Sequence, residues 1–159
     1  MIIERLTPQY DTALAELIRN ILKAHSLDIP GTVYFDEGLD HLSTFYREYP
    51  EKRAYFIMLD AAGQLIGGIG LAEFELFDTC AELQKLYLAE SARGQGLGYQ
   101  MISMVEEEAK RLGYSRMYLE THNNLPAAIH IYERAGYEKI ERPKNVVHTT
   151  MNRFYMKKL

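Results

Sequence analysis

Apolar residues recur at steps of three and four in two stretches of the N-terminal third, and this spacing predicts two amphipathic helices. The first apolar stripe comprises Leu14, Leu17, Ile18, Ile21 and Leu22. Thr7-Pro8 precedes that stripe as a helix cap with proline in the first turn. The second helix is expected over residues 36–49, because Pro50 follows it. The segment 25–38 has no period and is expected to form a loop.

Shorter apolar runs after Pro50 predict strands. Including a short N-terminal strand, the predicted strands are residues 2–6, 54–59, 64–74, 83–88, 116–120, 137–140 and 152–157. Two further helices, 97–112 and 125–135, are each followed by a glycine. Gly67, Gly68 and Gly70 inside a predicted strand indicate a bulge or a close backbone approach. The chain is therefore expected to be a mixed α/β (α+β) protein.

The composition indicates how many domains, which partners and which location to expect. A chain of 159 residues with 47% hydrophobic and 25% charged residues predicts one domain, 1–159, without repeats. The net charge of −4 argues against nucleic acid as a partner. A lone cysteine, Cys80, excludes an internal disulfide and suggests a reducing compartment. No apolar run resembles a membrane span or a signal peptide, so no membrane partner and a cytoplasmic location are expected.

The segment with the most specific chemistry is Arg93-Gly94-Gln95-Gly96-Leu97-Gly98, which joins a predicted strand to a predicted helix. Glycines allow successive N–H groups to turn toward one point, and a helix N-terminus favours anions. The segment therefore predicts a phosphate or pyrophosphate site. A Walker loop is excluded, because Tyr99-Gln100 replaces its Lys-Ser/Thr pair. A dinucleotide-binding loop remains a weaker alternative: Tyr99 occupies its last glycine position, although Glu120 lies at a tolerable distance.

Two motifs resemble the GNAT superfamily of N-acetyltransferases. The first is the loop pattern Arg93-x-x-Gly96-x-Gly98, and the second is Ala128-Ile129-x-x-Tyr132-Glu133-x-x-Gly136-Tyr137. The order of predicted elements is also similar to that family from end to end. The resemblance implies a mixed, mostly antiparallel central sheet of about seven strands, with a splayed parallel pair and about four flanking helices. The parallel pair would be the strands 83–88 and 116–120.

The same resemblance implies that acetyl-CoA is the co-substrate. Main-chain groups of Leu86, Tyr87 and Leu88 would bind its pantetheine arm, with side chains mostly in the core. The loop residues Arg93, Gly94, Gln95, Gly96, Leu97, Gly98 and Tyr99 would hold its phosphates. Arg93 would either contact phosphate or brace the loop. Many family members have an asparagine seven residues before the tyrosine; here that position is Leu125, and Asn124 is the neighbouring candidate.

The resemblance also suggests catalytic residues. Tyr132 would protonate the departing thiolate as general acid. A carboxylate would take the proton of the amine, and Glu82 has the spacing from the loop arginine that some family members show. Glu75 and Glu120 are rival bases, and Asp78 is a weaker one. Cys80 is expected at a strand edge without a partner base, so it gives little support to a covalent acyl-enzyme.

The sequence therefore predicts an acyltransferase that acts by direct attack of a primary amine on acetyl-CoA in a ternary complex. The alternative is a non-catalytic coenzyme A sensor or regulatory domain. The acceptor would be a small-molecule or peptide amine, bound by residues 27–35, the second helix and residues 146–150. The five histidines lack metal-site spacing, so no metal is expected. A homodimer is common in the family.

Overall fold

A computed structural model describes residues 1–159 and places seven strands in one sheet. The strands are β1 (Ile2–Arg5), β2 (Ala54–Leu59), β3 (Leu65–Glu73), β4 (Cys80–Leu88), β5 (Arg116–Thr121), β6 (Glu138–Ile140) and β7 (Arg153–Lys158). Their order across the sheet is β1-β2-β3-β4-β5-β7-β6. Only β4 and β5 run parallel; all other neighbours are antiparallel. The predicted fold class is confirmed.

Four α-helices flank the sheet: α1 (Asp11–Ala24), α2 (Leu42–Glu48), α3 (Leu97–Arg111) and α4 (Pro126–Arg134). The second helix is shorter than predicted, because only a 3-10 turn, Leu39–His41, occupies the start of the range 36–49. The side chain of Asp11 accepts hydrogen bonds from the backbone N–H and the hydroxyl of Ser43, at 2.9 and 2.6 Å. This contact from α1 stabilises the first turn of α2 and fixes where it begins.

The sheet separates two hydrophobic clusters. Leu14, Ile18 and Leu22 of α1 pack with Tyr55 and Ile57 of β2 on one face. The other face holds the apolar stripes of α3 and α4, with Met101, Val105, Ala109 and Tyr132 among the buried residues. Alternate residues of β2 enter different clusters, since Ala54 and Met58 belong to the second one. The apolar residues that repeat along the strands and helices therefore pack on the two faces of a single sheet, with helices covering both faces.

A bulge lies in the middle of β4. The register between β3 and β4 shifts between Gly68 and Gly70, and Lys85 opposite this point has φ +51°. Buried Tyr55 donates a hydrogen bond from its hydroxyl to the carbonyl of Lys85 at 2.8 Å. A Cβ on Gly68 or Gly70 would lie 2.6 or 2.5 Å from the Tyr55 ring. The close approach predicted at these glycines is present, since the Tyr55 ring packs against Gly68 and Gly70. The extra residue of the bulge, however, lies in the partner strand β4 and not in the glycine strand β3, for which the sequence predicted it.

The parallel pair parts soon after it begins. Only Cys80, Ala81 and Glu82 of β4 pair with β5, opposite Arg116, Met117 and Tyr118. Both strands continue beyond this point without pairing, which is the splayed arrangement that the family resemblance implied. Cys80 is not at an exposed edge: it begins β4, is 3% exposed, and burial raises the pKa of its thiol to about 11. No helix has the length and apolar character needed to cross a membrane.

Candidate active site

A cavity of about 770 Å³ opens where β4 and β5 diverge. Its walls come from β4, the end of β5, α4, the segment before and within α2, and residues 145–151. The lining includes Leu27, Val33, Leu42, Phe45, Val146, Val147 and His148. These residues belong to the three segments that the sequence predicted around an acceptor.

Glu82 lies at the point of divergence and lines the cavity. It is the last residue of β4 that pairs with both neighbouring strands, opposite Ala72 and Tyr118. One carboxylate oxygen accepts a hydrogen bond from Gln84 Nε2 at 3.2 Å, and Gln84 accepts another from the Tyr46 hydroxyl at 2.7 Å. Burial, followed by the negative charge of Glu120, raises the pKa of Glu82 to about 7. A carboxyl group with this pKa exchanges protons readily near neutral pH.

The rival carboxylates differ from Glu82 in their surroundings. Both oxygens of Glu120 are occupied, since Tyr118 donates its hydroxyl to one at 2.9 Å and His148 Nδ1 lies 3.1 Å from the other. Glu75 lines the cavity but is exposed to solvent. Asp78 lies outside the cavity lining, and its carbonyl accepts hydrogen bonds from Arg116. Two of the four carboxylates are partly buried, Glu82 and Glu120, and Glu82 has fewer hydrogen-bond partners.

Tyr132 lines the same cavity from α4. The residue is 5% exposed, and burial raises the pKa of its phenol well above the usual value. The Tyr132 hydroxyl makes no hydrogen bond within the protein, and it is not among the fully buried, unpartnered oxygens. At neutral pH this hydroxyl keeps its proton and is available to donate it.

The glycine-rich segment forms an open loop at the start of α3. Gly94 and Gly96 have φ +73° and +74°, and nothing lies within 4 Å of a Cβ built on either residue. The six successive N–H groups from Gly94 to Tyr99 make no hydrogen bond within the protein. Such a row of free donors at a helix N-terminus is suited to an anion.

Two other loop residues stabilise the loop and its packing. Arg93 donates its Nε to the carbonyl of Leu88 at 3.3 Å. This contact braces the loop, and a contact of Arg93 with phosphate stays a prediction. Gly98 packs closely under α4, because a Cβ there would lie 3.0 Å from Ile131 Cδ1 and 3.6 Å from Leu88 Cδ1. The loop is therefore attached directly to the end of β4.

The backbone of β4 connects the loop to Glu82. Beyond Glu82 no residue of β4 pairs with β5, so the main-chain groups that face β5 have no strand partner there. Leu86 and Leu88 are partly buried against the larger core cluster, as predicted. The side chain of Tyr87 packs on the opposite cluster, and Tyr87 also lines the cavity.

Asn124 is not brought into the cavity. Its side-chain amide donates to the carbonyl of His25 at 3.0 Å, and the neighbouring Leu125 lines the cavity instead. The contact of Asn124 with coenzyme A stays a prediction.

A cluster around His148 was missed from the sequence. His148 Nε2 lies 2.8 Å from Asp36 Oδ1, and Lys85 Nζ is 3.8 Å from the other oxygen of Asp36. Burial lowers the pKa of His148, but hydrogen bonds with Asp36 and Glu120 outweigh it and raise that pKa to about 9. The ring is then an imidazolium that donates from both nitrogens. No local motif could have shown this, because Asp36 and Glu120 are 112 and 28 residues away.

Comparisons with known proteins show which family and which solved folds the chain resembles. The sequence model of the Acetyltransferase (GNAT) family matches residues 18–137. An N-acetyltransferase of Escherichia coli, YjgM, is 34% identical over 143 residues, which are 88% of this chain and 83% of that protein.

Two solved structures share the fold at lower identity. A GNAT-family acetyltransferase of Staphylococcus aureus superposes with a TM-score of 0.86 at 21% identity, over 99% of this chain and 98% of that one. The acetyltransferase YncA of Salmonella typhimurium, solved with acetyl-CoA, has a TM-score of 0.75 at 18% identity, over 99% and 93%.

Proposed function

The chain belongs to the GNAT family of acetyltransferases and is an N-acetyltransferase with acetyl-CoA as co-substrate, and we propose that it acetylates a primary amine directly in a ternary complex. The observation that carries this proposal is the position of Glu82: a weakly partnered carboxylate in the cavity where β4 leaves β5. The coenzyme A sensor considered as an alternative has no observation of its own in its favour.

The residues present fit the co-substrate. The free N–H groups of residues 94–99 would hold the phosphates of coenzyme A, and Arg93 would keep the loop in place. The unpaired edge of β4 around Leu86, Tyr87 and Leu88 would take the amides of the pantetheine arm as an added strand. Acetyl-CoA supplies the activated acetyl group, and its binding along this edge would bring the thioester toward Glu82 and Tyr132.

Glu82 would act on the acceptor amine. A protonated ammonium has no lone pair, so one proton must leave nitrogen before a C–N bond forms. A carboxylate with a pKa of about 7 takes that proton at neutral pH, directly or through water. Burial of the Glu82 carboxylate, followed by the negative charge of Glu120, raises its pKa into this range.

Tyr132 would act on the leaving group. As the C–N bond forms and the C–S bond breaks, the phenol donates its proton to the sulfur, and solvent later returns a proton to the phenolate. The high pKa of Tyr132 ensures that it is protonated at the start of each cycle. The nitrogen loses its second proton to solvent as the tetrahedral intermediate collapses, and the proton accepted by Glu82 also returns to solvent. One proton taken back from solvent by the phenolate leaves a net release of one proton, so atoms and charge balance over the whole turnover.

The test is thiol release from acetyl-CoA across a panel of amines, with the wild type, Glu82→Gln and a control variant, Glu138→Gln, on exposed strand β6. Glu82→Gln is expected to lower kcat/KM at least about tenfold above pH ~7, about 1.4 kcal/mol of barrier. The ratio of the wild-type kcat/KM to that of Glu82→Gln should fall as pH drops below about 7, because wild-type Glu82 is then protonated and cannot accept a proton. A pH-independent ratio, or an equal loss in Glu138→Gln, would remove Glu82 from the mechanism.

A further inference from the structure

The charged residues of the cavity are unequally paired. Six carboxylates line it, Asp36, Glu37, Glu73, Glu75, Glu82 and Glu120, against three cationic side chains, Arg53, Lys85 and His148. Each of the three cations already faces a carboxylate: Arg53 faces Glu73, Lys85 faces Asp36, and His148 faces Asp36 and Glu120. Glu37, Glu75 and Glu82 form no ion pair. The cavity therefore holds unpaired negative charge and no unpaired positive charge.

The paired cations are poorly placed to bind a carboxylate of a substrate. Arg53 donates Nε to Glu73 at 2.8 Å and Nη2 at 2.5 Å, and its guanidinium lies 4.0 Å from the centre of the Phe45 ring. Its side chain is 11% exposed, and that of Lys85 is 10% exposed. An α-carboxylate in this cavity would lose water without gaining a cation, and it would meet unpaired carboxylates.

The three unpaired carboxylates lie at two depths. Glu82 is partly buried at the divergence of β4 and β5, whereas Glu37 and Glu75 are exposed at the mouth. The lining also contains the apolar side chains of Val33, Leu42, Leu76 and Val146. Such a cavity suits a ligand with one nitrogen inside, an apolar chain, and a second positive charge near the solvent.

On this basis, and resting on the proposed function, we propose that the acceptor is an aliphatic diamine or polyamine without a carboxylate. One amine reaches Glu82 and is acetylated at its nitrogen. The other remains an ammonium and interacts with Glu37 and Glu75 at the mouth. The paired cluster of Asp36, His148 and Glu120 forms part of the wall and does not bind the charge of the acceptor.

Four probes separate the acceptor classes, each assayed for kcat/KM with saturating acetyl-CoA. They are 1,5-diaminopentane; L-lysine, which adds one carboxylate; n-pentylamine, which lacks the second nitrogen; and Nα-acetyl-lysine methylamide, which represents a peptide lysine. We expect 1,5-diaminopentane to exceed each of the others by about tenfold or more. A preference for lysine or for the capped lysine would overturn the inference and leave the acetyltransferase intact, and so would equal rates for pentylamine and the diamine.

A double variant tests the mouth carboxylates. Exposed ion pairs are weak, so Glu37→Gln with Glu75→Gln is expected to reduce the preference for diamine over pentylamine by about three- to tenfold, and raised salt should do the same in the wild type. Glu138→Gln should change neither value. An undiminished preference in the double variant would overturn the role of the mouth. Calorimetric binding of acetyl-CoA without turnover of any probe would overturn the inference and the proposed function together.

Discussion

Nε2 of His148 lies 2.8 Å from Oδ1 of Asp36, although 112 residues separate them in the sequence. The same histidine meets Glu120 of β5 through Nδ1 at 3.1 Å. Nearby, Thr150 donates its hydroxyl to the carbonyl of Pro30 at 2.6 Å and its N–H to that of Gly31 at 3.2 Å. Together these contacts hold the segment before β7 against the segment before α2, and so form one wall of the cavity.

His148→Gln should weaken the fold in a pH-dependent way. The pKa of His148 is raised from 6.5 to about 9 in the folded protein, so the native state binds the proton more tightly than the unfolded chain. The resulting stabilisation is fully present below pH 6.5 and is lost as pH rises through about 9. Since one pKa unit corresponds to about 1.4 kcal/mol, it amounts to a few kcal/mol.

Urea denaturation of the wild type and of His148→Gln at several pH values measures this contribution. The difference in unfolding free energy should shrink as pH rises from neutrality to about 10. His130→Gln, on the exposed surface of α4, is the matched control and should show no such trend. A constant difference between wild type and His148→Gln would mean that the ring is not protonated in the fold.

Glu82→Gln should do the opposite and stabilise the protein. The pKa of Glu82 is raised from 4.5 to about 7, mainly by burial, so the unfolded chain loses this proton at lower pH than the native state does. Wild-type stability therefore falls as pH rises between 4.5 and about 7. The glutamine variant lacks this penalty, and its melting temperature should exceed that of the wild type at about pH 8 and match it near pH 4.

A higher melting temperature together with lower activity would identify Glu82 as a group held in an unfavourable site for its chemistry. Glu138→Gln at the surface of β6 serves again as control, with no expected change in either quantity. If Glu82→Gln melts below the wild type at both pH values, the carboxylate contributes to packing and is not strained by burial.

Tyr132→Phe should lower kcat without changing the affinity for acetyl-CoA. Only the hydroxyl is removed, and it makes no hydrogen bond that the fold would lose. If that hydroxyl protonates the leaving sulfur, kcat should fall at least about tenfold, with the KM for acetyl-CoA within about twofold. Stopped thiol-release assays give both values.

Tyr114→Phe is the control for Tyr132→Phe, because the Tyr114 hydroxyl lies outside the cavity and donates to the carbonyl of Lys52 at 2.9 Å. Its removal should leave both kinetic constants unchanged. An unchanged kcat in Tyr132→Phe would assign protonation of the sulfur to another group or to water.

The sequence predicted those features of the site that depend on neighbours within a few residues. The glycine loop is one case, since Gly94 and Gly96 adopt positive φ and the loop opens α3 as expected. The order of elements along the chain is another, because period and turn signals are local, and the family resemblance supplied the splayed parallel pair. Tyr132 and Glu82 both reach the cavity from elements that the pattern had located.

Contacts between segments that are distant in the sequence could not be predicted from local patterns. The start of α2 depends on Asp11, 32 residues before Ser43. Asn124 lies one residue from the position that the family pattern gives to an asparagine, and its amide is bonded to the carbonyl of His25, 99 residues away. His148 had no motif around it, and its environment comes from two other elements. Each of these features is set by packing between segments, which the sequence pattern does not encode.

Gly96→Ala tests whether the loop conformation, and not only its flexibility, binds acetyl-CoA. Gly96 has φ +74° with open space around it, so an added methyl clashes with nothing and the strain comes from the backbone angle alone, about 1–2 kcal/mol. Gly63 in the turn between β2 and β3 has φ +78° and equally open surroundings, and it lies outside the cavity and the loop. Both alanine variants should therefore lose similar stability in urea. Only Gly96→Ala should raise the KM for acetyl-CoA severalfold, because relaxation of the strained backbone turns the free N–H groups away from a common point.

Equal KM values in the two variants would contradict the assignment of the loop as the phosphate site. Such a result would mean that the backbone change at Gly96 moves no N–H group that the co-substrate uses.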